Sequence, residues 1–400
     1  MQRRTALKLA AAAFVAGSML GGVAQAQETL KFGASAPKTG PLAGGSTVSH
    51  WPAIQLWVHD VNERGGIDVG GTKRKVEVIE YDDQTNGEVA IKNIQRLATV
   101  DKVDFLVAPY STGLNIAAAP VIAQYGYPQL AATAVGDGFE ELAKRWPNSF
   151  WLLGSSKAFA EDLVGVLKGM KDAGQMGNKV AVVNVADAFG IELANAGKPA
   201  LQAAGFEIVY ETSYPLGQQD YAPIIAAAQA ASPDAFVAFS YPGDTFGLSA
   251  QAKIADLKVK AFYVGVATAF PAYLGANGAA AEGVLGAGAI NPDAAGMPEW
   301  RARHKEVTGT DADYWASAMT YASLEMLEQA ITAAGSTDKA AVIDKLKTMT
   351  FKTVMGDMSL AGNVNQKFWT VGQWQGGKYY GVAADGFEDV KAPILKNGWN

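Results

Sequence analysis

The sequence predicts an α/β fold with two doubly wound parallel sheets, arranged as two successive lobes. Strand-like apolar runs alternate with helical runs almost throughout, which is the pattern of βαβ units. Two rounds of this alternation are present, and a chain of 400 residues exceeds one ordinary core. Three apolar runs lead into loops of small, hydroxyl-bearing or aromatic residues, at 105–113, 129–136 and 181–190. An open parallel sheet places its ligand groups at such strand ends.

The N-terminus has the pattern of an export signal. Three basic residues among the first eight precede an apolar run, and Ala24-Gln25-Ala26 provides the small residues that a signal peptidase accepts. We therefore expect a signal peptide over residues 1–26 and a mature chain that starts at Gln27. Because the sequence contains no cysteine, we expect no disulfide and no lipidated cysteine. The predicted location is the periplasm, without a lipid anchor.

The charge balance excludes one class of partner. The whole chain has a net charge of −6, and removal of three basic signal-peptide residues makes the mature chain more acidic still. An acidic chain without a basic run does not favour nucleic acid as a partner. We expect a monomer that binds a small molecule.

The first round of alternation predicts four strands and three helices. In its first helix Ala53, Leu56, Trp57 and Val61 recur at helical spacing, so this face is assigned to the core. Two glycines then end the helix. The predicted strands lie near 30–35, 76–81, 105–109 and 129–132, and the helices near 52–64, 87–100 and 115–125.

The second round begins near residue 150 and is longer. Its predicted strands lie near 150–153, 180–184, 206–210, 235–239 and 261–266, and its helices near 158–172, 191–204, 221–231 and 245–257. A strand at 284–289 would return the chain to the first lobe, where helices at 298–307, 315–334 and 338–348 would pack. The aromatic run at 368–374, followed by Gly376-Gly377, predicts a β-hairpin that closes the second lobe.

Motifs for catalysis or a cofactor fail on their context. Residues 372–378 fit GxxxxGK, but Tyr379 stands where a phosphate loop needs Ser or Thr, and the segment reads as a hairpin. No GxGxxG opens a helix in the first βα unit. The three histidines lack ligand-like spacing, and we expect surface or capping roles for them. The pairs Asp82-Asp83 and Asp311 with Asp313 lie in loop-like stretches typical of solvated or capping aspartates. We predict a protein that is not an enzyme and has no cofactor and no metal.

The remaining candidates are the strand ends. Ser111 and Thr112 precede a helix, so their hydroxyls would either cap that helix or receive an anion. Thr133 stands at the next strand end, and Phe189 and Tyr241 stand at strand ends of the second lobe. Several such positions facing one crevice favour a binding site over capping alone.

Taken in order, several segments resemble the periplasmic solute-binding proteins of ABC importers, in the leucine/isoleucine/valine-binding family with the type I periplasmic binding fold. The segments are LKFGASAPKTGPLAGG, VNERGGIDVGG, PYSTG, VADAFG and GDMSL. The resemblance implies two lobes that close on a ligand and a membrane permease as partner. It implies three crossovers, near 149–153, 286–290 and 354–357. The lobes would comprise 27–150 plus 288–355, and 151–287 plus 356–400.

The resemblance also implies the residues of the site. A carboxylate-binding loop, a second hydroxyl strand end, an aromatic wall, a first-lobe loop at 45–51 with one extra residue, and the end of the last second-lobe strand all match. The implied ligand-binding residues are Ser46, Trp51, Tyr110, Ser111, Thr112, Ala132, Thr133, Phe189, Tyr241, Ala267 and Thr268.

One departure from the family pattern bears on the ligand. Family members that bind amino acids place an acidic residue after the last second-lobe strand, whereas this chain has Gly265-Val266-Ala267-Thr268. An ammonium buried without a counter-charge is strongly disfavoured. We therefore predict a small carboxylate without an α-amino group, of the aromatic acid class. Branched-chain amino acids remain an alternative if Asp187, Asp220 or Asp244 supplies the charge. Small amides, and a sensor module in place of an importer, also remain open.

Overall fold

The structure is a computed structural model that describes residues 29–365 and 367–399. The predicted signal peptide lies outside the described residues. Within them, none of the helices combines the length and apolar character that crossing a bilayer requires. The described chain is α/β, as predicted, with parallel strands gathered in separate sheets.

The first lobe is built on a three-stranded parallel sheet of order β4-β1-β5, beside a parallel pair, β6-β7. In register, Phe32 of β1 pairs with Val78 of β4 and with Phe105 of β5. The elements are β1 (Leu30–Ala36), α1 (Ala43–Ser49), α2 (Trp51–Glu63), β2 (Ile67–Val69), β3 (Thr72–Arg74), β4 (Val76–Asp82), α3 (Gly87–Thr99), β5 (Phe105–Val107), α4 (Thr112–Gln124), β6 (Gln129–Ala131), α5 (Phe139–Arg145) and β7 (Ser149–Trp151).

The second lobe contains a seven-stranded sheet of order β16-β15-β12-β11-β10-β8-β9. Its strands β8 to β12 are parallel to one another. The elements that lead to it are α6 (Ser156–Asp172), β8 (Lys179–Val185), α7 (Ala188–Ala203), β9 (Glu207–Tyr214), α8 (Ala222–Ala230), β10 (Ala235–Phe239), α9 (Pro242–Ile254), β11 (Ala261–Val264), α10 (Pro271–Asn277) and β12 (Val284–Ala287).

The last part of the chain serves both lobes. Helices of this part pack on the first lobe, where the Asp60 carboxylate accepts hydrogen bonds from Arg303 and Tyr321. The predicted hairpin is confirmed as β15 and β16, which join the second-lobe sheet antiparallel to β12. The elements are α11 (Met297–Thr308), α12 (Ala316–Ala334), α13 (Lys339–Thr348), β13 (Thr350–Thr353), β14 (Gly356–Ser359), β15 (Phe368–Gln375) and β16 (Lys378–Asp385).

Segments that pass between the lobes run side by side. Trp151 forms a parallel bridge with Val364, and the Gly288 N–H donates to the Thr370 carbonyl over 2.8 Å. Residues 354–357, where the third crossover is predicted, lie in and beside the turn between β13 and β14. Gly356 has a φ of +89° there, which favours glycine and turns the chain back on itself.

Helix starts differ systematically from the sequence prediction. Helices α4, α7 and α9 each begin three residues earlier than expected, directly after the strand end. The strand-end residues Ser111, Asp187 and Tyr241 are therefore the N-caps of these helices. The prediction also missed the β2–β3 hairpin and the short helices α1 and α5, since such short elements are decided by tertiary packing rather than by periodicity.

Candidate functional site

Three hydroxyls of the first lobe form one wall of the candidate site. The Ser111 Oγ accepts the Leu114 N–H over 3.3 Å, and the Thr133 Oγ1 accepts the Ser111 N–H over 3.0 Å. The Thr112 Oγ1 accepts the Val135 N–H over 3.1 Å. Each hydroxyl oxygen thus receives a backbone N–H, which leaves the protons of Ser111 and Thr112 to donate, while the Thr133 hydroxyl donates to the Pro109 carbonyl over 3.4 Å. The positive end of the helix dipole lies at the start of α4, so hydroxyl donors at this place favour an anionic acceptor such as a carboxylate.

The backbone at Ser111 is strained and firmly supported. Its φ of +81° and ψ of 157° lie in a region that residues other than glycine rarely adopt. The buried Asn115 amide donates to the Pro109 carbonyl over 2.6 Å and to the Ser111 carbonyl over 2.8 Å. Gln129 in turn donates to the Asn115 side chain and accepts from Ser149. This chain of buried hydrogen bonds holds the conformation that directs Ser111.

Two stacked rings of the second lobe form the opposite wall. Phe189 and Tyr241 are buried, with ring centroids 4.9 Å apart and planes inclined by 28°. Phe189 lies in the first turn of α7, and Tyr241 precedes α9. The wall therefore presents apolar ring surface, which suits a flat apolar body.

The two walls meet. The Tyr241 hydroxyl lies beside the Ser111 hydroxyl and the Asp187 carboxyl, and it has no hydrogen bond of ordinary geometry to either. At the rim, Pro242 comes close to Gly44, and Pro41 comes close to Gly217. Burial, with the nearby Asp187 carboxylate, raises the pKa of the Tyr241 hydroxyl well above its ordinary value, so the group stays neutral.

The three aspartates weighed as partners for an ammonium differ in availability. The Asp244 carboxylate already accepts the Tyr241 N–H over 3.0 Å and the Tyr221 hydroxyl over 2.8 Å. Asp220 is exposed and accepts the Ala222 N–H. Asp187 is half-buried, accepts the Gly190 N–H over 3.0 Å and lies beside the Tyr241 hydroxyl. Burial raises the pKa of Asp187. Of the three, Asp187 is the one that lies beside the Tyr241 hydroxyl, whereas Asp244 contacts the Tyr241 backbone.

The first-lobe loop places its aromatic residues in an unexpected way. Trp51 donates its indole N–H to the Pro37 carbonyl over 3.2 Å, and its ring lies under the Lys38 ammonium at 4.6 Å. His50, rather than Trp51, packs edge-on against Tyr110, with centroids 6.2 Å apart. The Tyr110 hydroxyl reaches Ser49. The predicted pocket residue Trp51 thus borders a groove beside Glu80, while His50 occupies the buried position.

Four other predicted site residues are buried with their contacts directed elsewhere. The Ser46 hydroxyl bonds to the Pro37 carbonyl. The Thr268 hydroxyl donates to the Val264 carbonyl over 2.5 Å, and its Cβ packs towards Gly286 inside the second lobe. Ala132 and Ala267 are buried as well. Residues 266–269 form a 3-10 helix that contains no acidic side chain.

Trp315 was missed by the sequence analysis, which placed it on a helix. It is buried, lies 6.2 Å from the ring of Phe159 of the second lobe, and has an indole N–H without a partner. Its ring packs so tightly on Gly288 that any side chain there would clash. Glycine at this position, with a φ of +65°, permits the contact. No periodicity marks this residue, because the contact joins segments far apart in sequence.

The expectation of surface or capping roles for the histidines and loop aspartates is wrong in part. His50 and His304 are buried, and only His59 is exposed. Asp83 is buried, and Asp313 is a buried cap whose carboxylate accepts the Trp315 and Ser317 N–H groups. Residues 372–378 lie in the β15–β16 hairpin, as predicted, and not in a phosphate loop. Among the described residues, no group of three or more His, Asp or Glu is arranged to hold a metal ion.

Comparison with known proteins gives one family and two kinds of ligand. The family model described as periplasmic binding protein matches residues 29–378. A Leu/Ile/Val-binding protein homolog 4 from Brucella abortus is 25% identical over 394 residues, with 95% of this chain and 91% of the relative covered.

Two solved structures illustrate the shared fold. A branched-chain amino acid substrate-binding protein from Streptococcus pneumoniae, in complex with isoleucine, superposes with a TM-score of 0.76 at 20% identity, covering 90% of this chain and 99% of that one. A solute-binding protein of an ABC transporter from Rhodopseudomonas palustris, in complex with 3,4-dihydroxybenzoic acid, superposes with a TM-score of 0.74 at 23% identity, covering 91% and 99%. At these identities the likeness establishes the fold alone.

Proposed function

The chain belongs to the periplasmic binding protein family, and from that premise we propose that it captures an aromatic monocarboxylate for an ABC importer. Members of this family bind ligands and are not enzymes. In this proposal the ligand carboxylate accepts hydrogen bonds from the first-lobe hydroxyls, and its ring lies against the second-lobe aromatic wall. The protein works in the periplasm after removal of residues 1–26, and it delivers its ligand to a membrane permease.

One observation carries the ligand class. The Ser111 hydroxyl lies beside Tyr241 of the stacked pair, and the 3-10 helix at 266–269 offers no carboxylate to an ammonium. A carboxylate at such a site accepts hydrogen bonds from the first-lobe hydroxyls, whereas an α-ammonium buried there has no counter-charge. An aromatic acid without an amino group satisfies both walls.

Branched-chain amino acids are the second candidate, and a single residue favours them. The half-buried Asp187 carboxyl beside the Tyr241 hydroxyl is placed to pair with a cation in the cleft. The relatives include both a protein in complex with isoleucine and one in complex with an aromatic acid. The two candidates therefore differ in whether Asp187 is needed.

The first experiment compares ligand classes on the protein freed of copurified ligand. Thermal melts with benzoates, hydroxycinnamates and aryl keto acids are run beside leucine, isoleucine, valine and small amides. A ligand at 100 times its Kd adds about 2.7 kcal/mol to the free energy of unfolding, which is a shift of several degrees. We expect the aromatic acids to raise the melting temperature. Stabilisation by leucine without any effect of the aromatic acids would refute the proposed ligand class.

A pair of variants separates the two candidates more sharply. Asp187→Asn keeps an acceptor for the Gly190 N–H but removes the charge, and Asp220→Asn makes the same change at the exposed cap. For an aromatic acid, we expect calorimetric titration to give affinities within about threefold of wild type for both. Loss of leucine binding in Asp187→Asn alone would instead establish amino-acid binding.

Closure of the lobes is the signal that a permease would recognise. Ligand joins groups of both walls only when the lobes are closed, so it favours the closed state. Small-angle scattering should give a smaller radius of gyration for the ligand-saturated protein than for the stripped protein. Identical radii, with tight binding shown on the same samples, would contradict this mechanism.

A further inference from the structure

His50 is held at the junction of two helices in the first lobe. It follows α1 and precedes α2. Its N–H donates to the Ser46 carbonyl over 3.0 Å, and its carbonyl accepts the Ile54 N–H over 3.1 Å. Both helices therefore fix the backbone that carries the imidazole, and only 2% of the residue is exposed.

The imidazole of His50 is buried without a hydrogen-bond partner on either nitrogen. A neutral imidazole has one donor and one acceptor, and leaving both unsatisfied in the interior is unfavourable. Other buried polar groups, among them the Tyr241 hydroxyl beside Ser111, also have no partner. In His50 both ring nitrogens are unsatisfied at once, which requires an explanation, and a ligand supplies one.

The position of the ring connects it to the site. His50 packs edge-on against Tyr110, which directly precedes Ser111. Tyr110 also lies near the Tyr241 hydroxyl of the opposite wall. The imidazole thus contacts the ring of the residue next to Ser111, and that ring lies near the opposite wall.

Burial determines the chemistry that the ring offers. It lowers the pKa of His50 to about 3, so the imidazole is neutral in the periplasmic pH range. A neutral imidazole provides no charge for a carboxylate. It matches a hydroxyl group, which accepts from one nitrogen or donates to the other.

We propose that His50 is a specificity residue that hydrogen-bonds a hydroxyl on the ligand's aromatic ring, beside the Tyr110 ring. The preferred ligands are then hydroxylated aromatic acids rather than unsubstituted ones. This inference rests on the proposed function, because it assumes an aromatic acid in the cleft.

The test measures a preference ratio rather than a single affinity. Calorimetric titrations with benzoate, 3-hydroxybenzoate and 4-hydroxybenzoate are made on stripped wild type, His50→Phe and His50→Gln. We expect wild type to prefer one hydroxybenzoate over benzoate by about three- to tenfold. His50→Phe should bring that ratio to about one, and His50→Gln, which keeps a donor and an acceptor, should retain part of it. His59→Phe is the control on the same helix, with an exposed side chain, and should leave the ratio unchanged.

The outcomes separate the inference from the proposed function. If wild type binds none of these three acids and none of the hydroxycinnamates and aryl keto acids of the melting experiment, the proposed function fails. If it binds only the latter, the role of His50 is read from the same ratio for hydroxylated and unsubstituted cinnamates. If wild type binds hydroxylated and unsubstituted acids without preference, or if folded His50→Phe keeps the preference, the proposed function stands and the role of His50 is refuted. Melting curves of the free variants show whether each is folded. If His50→Phe is unfolded, the preference ratio of His50→Gln is used in its place.

A second titration tests the charge of the imidazole. At pH 7, in two buffers of different ionisation enthalpy, binding should show no proton uptake. Proton uptake that His50→Gln abolishes would mean that a charged imidazole pairs with the carboxylate, which contradicts the proposal.

Discussion

The two walls of the cleft are built in different ways. The first-lobe wall offers hydroxyl groups whose oxygens accept backbone N–H groups, and buried amides support the strained backbone of Ser111. The second-lobe wall offers an apolar surface, formed by the stacked rings of Phe189 and Tyr241. A preorganised polar wall selects a charge, and an apolar ring wall selects a body of matching form. If the proposed function is right, the charge and the ring of the ligand are recognised by separate lobes, and single substitutions should affect them separately.

The largest expected effect on stability concerns Asn115, whose buried hydrogen bonds support the backbone of the first wall. Asn115→Ala removes the donor to the Pro109 and Ser111 carbonyls and the acceptor of Gln129, all of them buried. We expect the free energy of unfolding to fall by about 3 kcal/mol, since each unsatisfied buried group costs about 1–3 kcal/mol. Ligand affinity should fall as well, because Ser111 loses its position.

Thermal melting and calorimetric titration measure the two losses in Asn115→Ala. Asn195→Ala, at an exposed position of α7, is the matched control and should change neither quantity. Normal affinity in a destabilised Asn115→Ala would show that the first wall does not depend on its strained backbone.

The sequence grouped the candidate site residues by strand topology. Ser111, Thr133, Phe189 and Tyr241 were named because the carboxyl ends of parallel strands lie at one edge of a sheet. The structure brings Tyr241 beside Ser111 and Phe189, and their role in ligand binding stays a prediction. Capping and binding, weighed as alternatives for Ser111, turn out to be compatible, since its oxygen caps α4 and its proton stays free. The early start of α9 was missed because Pro242-Gly243 reads as a turn, although proline is favoured in the first turn of a helix.

Residues placed by tertiary packing escaped the prediction. His50 and Trp51 are adjacent in sequence, and an aromatic pocket residue was expected at 51. The junction of α1 and α2 buries His50 and turns Trp51 towards Lys38. Trp315 contacts Phe159 and Gly288, which are distant in sequence, so no local sequence pattern predicts these contacts. Such contacts depend on how helices pack, which a single sequence does not specify.

The second wall gives the next largest effect. Tyr241→Ala removes half of the stacked pair, and we expect it to weaken binding of an aromatic acid by about 2 kcal/mol or more, as large buried tyrosines do at binding sites. Tyr241→Phe keeps the ring and removes a buried hydroxyl that has no partner of ordinary geometry. It should therefore bind within about threefold of wild type and melt no lower.

Calorimetric titration compares these variants with Tyr210→Ala, a control on the edge strand β9 of the same lobe. A large loss of affinity in Tyr241→Phe would show that the second wall recognises polar groups as well as shape. The separation of charge and shape between the lobes would then be incorrect.

The first wall makes a smaller contribution through each hydroxyl. Thr133→Val removes one proposed donor to the ligand carboxylate, which in the free protein donates to the Pro109 carbonyl over 3.4 Å, and the acceptor of the Ser111 N–H. Hydrogen bonds to charged groups are worth about 1.5–3 kcal/mol, so binding should weaken by about 2 kcal/mol. Thr133→Ser keeps the hydroxyl and should restore most of the affinity. Full affinity in folded Thr133→Val, measured by calorimetric titration, would mean that the hydroxyl serves only the loop.

The smallest effect concerns pH and the first-lobe loop between β1 and α1, at residues 37–42. Asp82 anchors this loop by accepting the Lys38 N–H and the Thr39 hydroxyl. These hydrogen bonds, opposed by partial burial, hold the pKa of Asp82 below its usual value. Asp83, the next residue, is buried with one carboxylate oxygen unpartnered, and burial raises its pKa to about 7. Two adjacent aspartates thus have opposite effects on stability.

The pH dependence follows from proton binding. Between about pH 4 and pH 7 folded Asp83 keeps a proton that the unfolded chain has released, so its contribution to stability falls as the pH rises. Asp83→Asn removes this loss and keeps an acceptor for the Thr85 N–H. It should be more stable than wild type by about 1 kcal/mol at pH 7.5 and equal to it near pH 4.

Asp82→Asn should have the opposite effect and be less stable than wild type at pH 7.5. A lowered pKa stabilises the fold at pH values above the pKa of the unfolded chain, and this stabilisation disappears as the pH falls. Denaturant unfolding at the two pH values measures both differences. If both variants shift stability in the same direction at pH 7.5, the pKa values of the two carboxyls are not displaced in opposite directions by the fold.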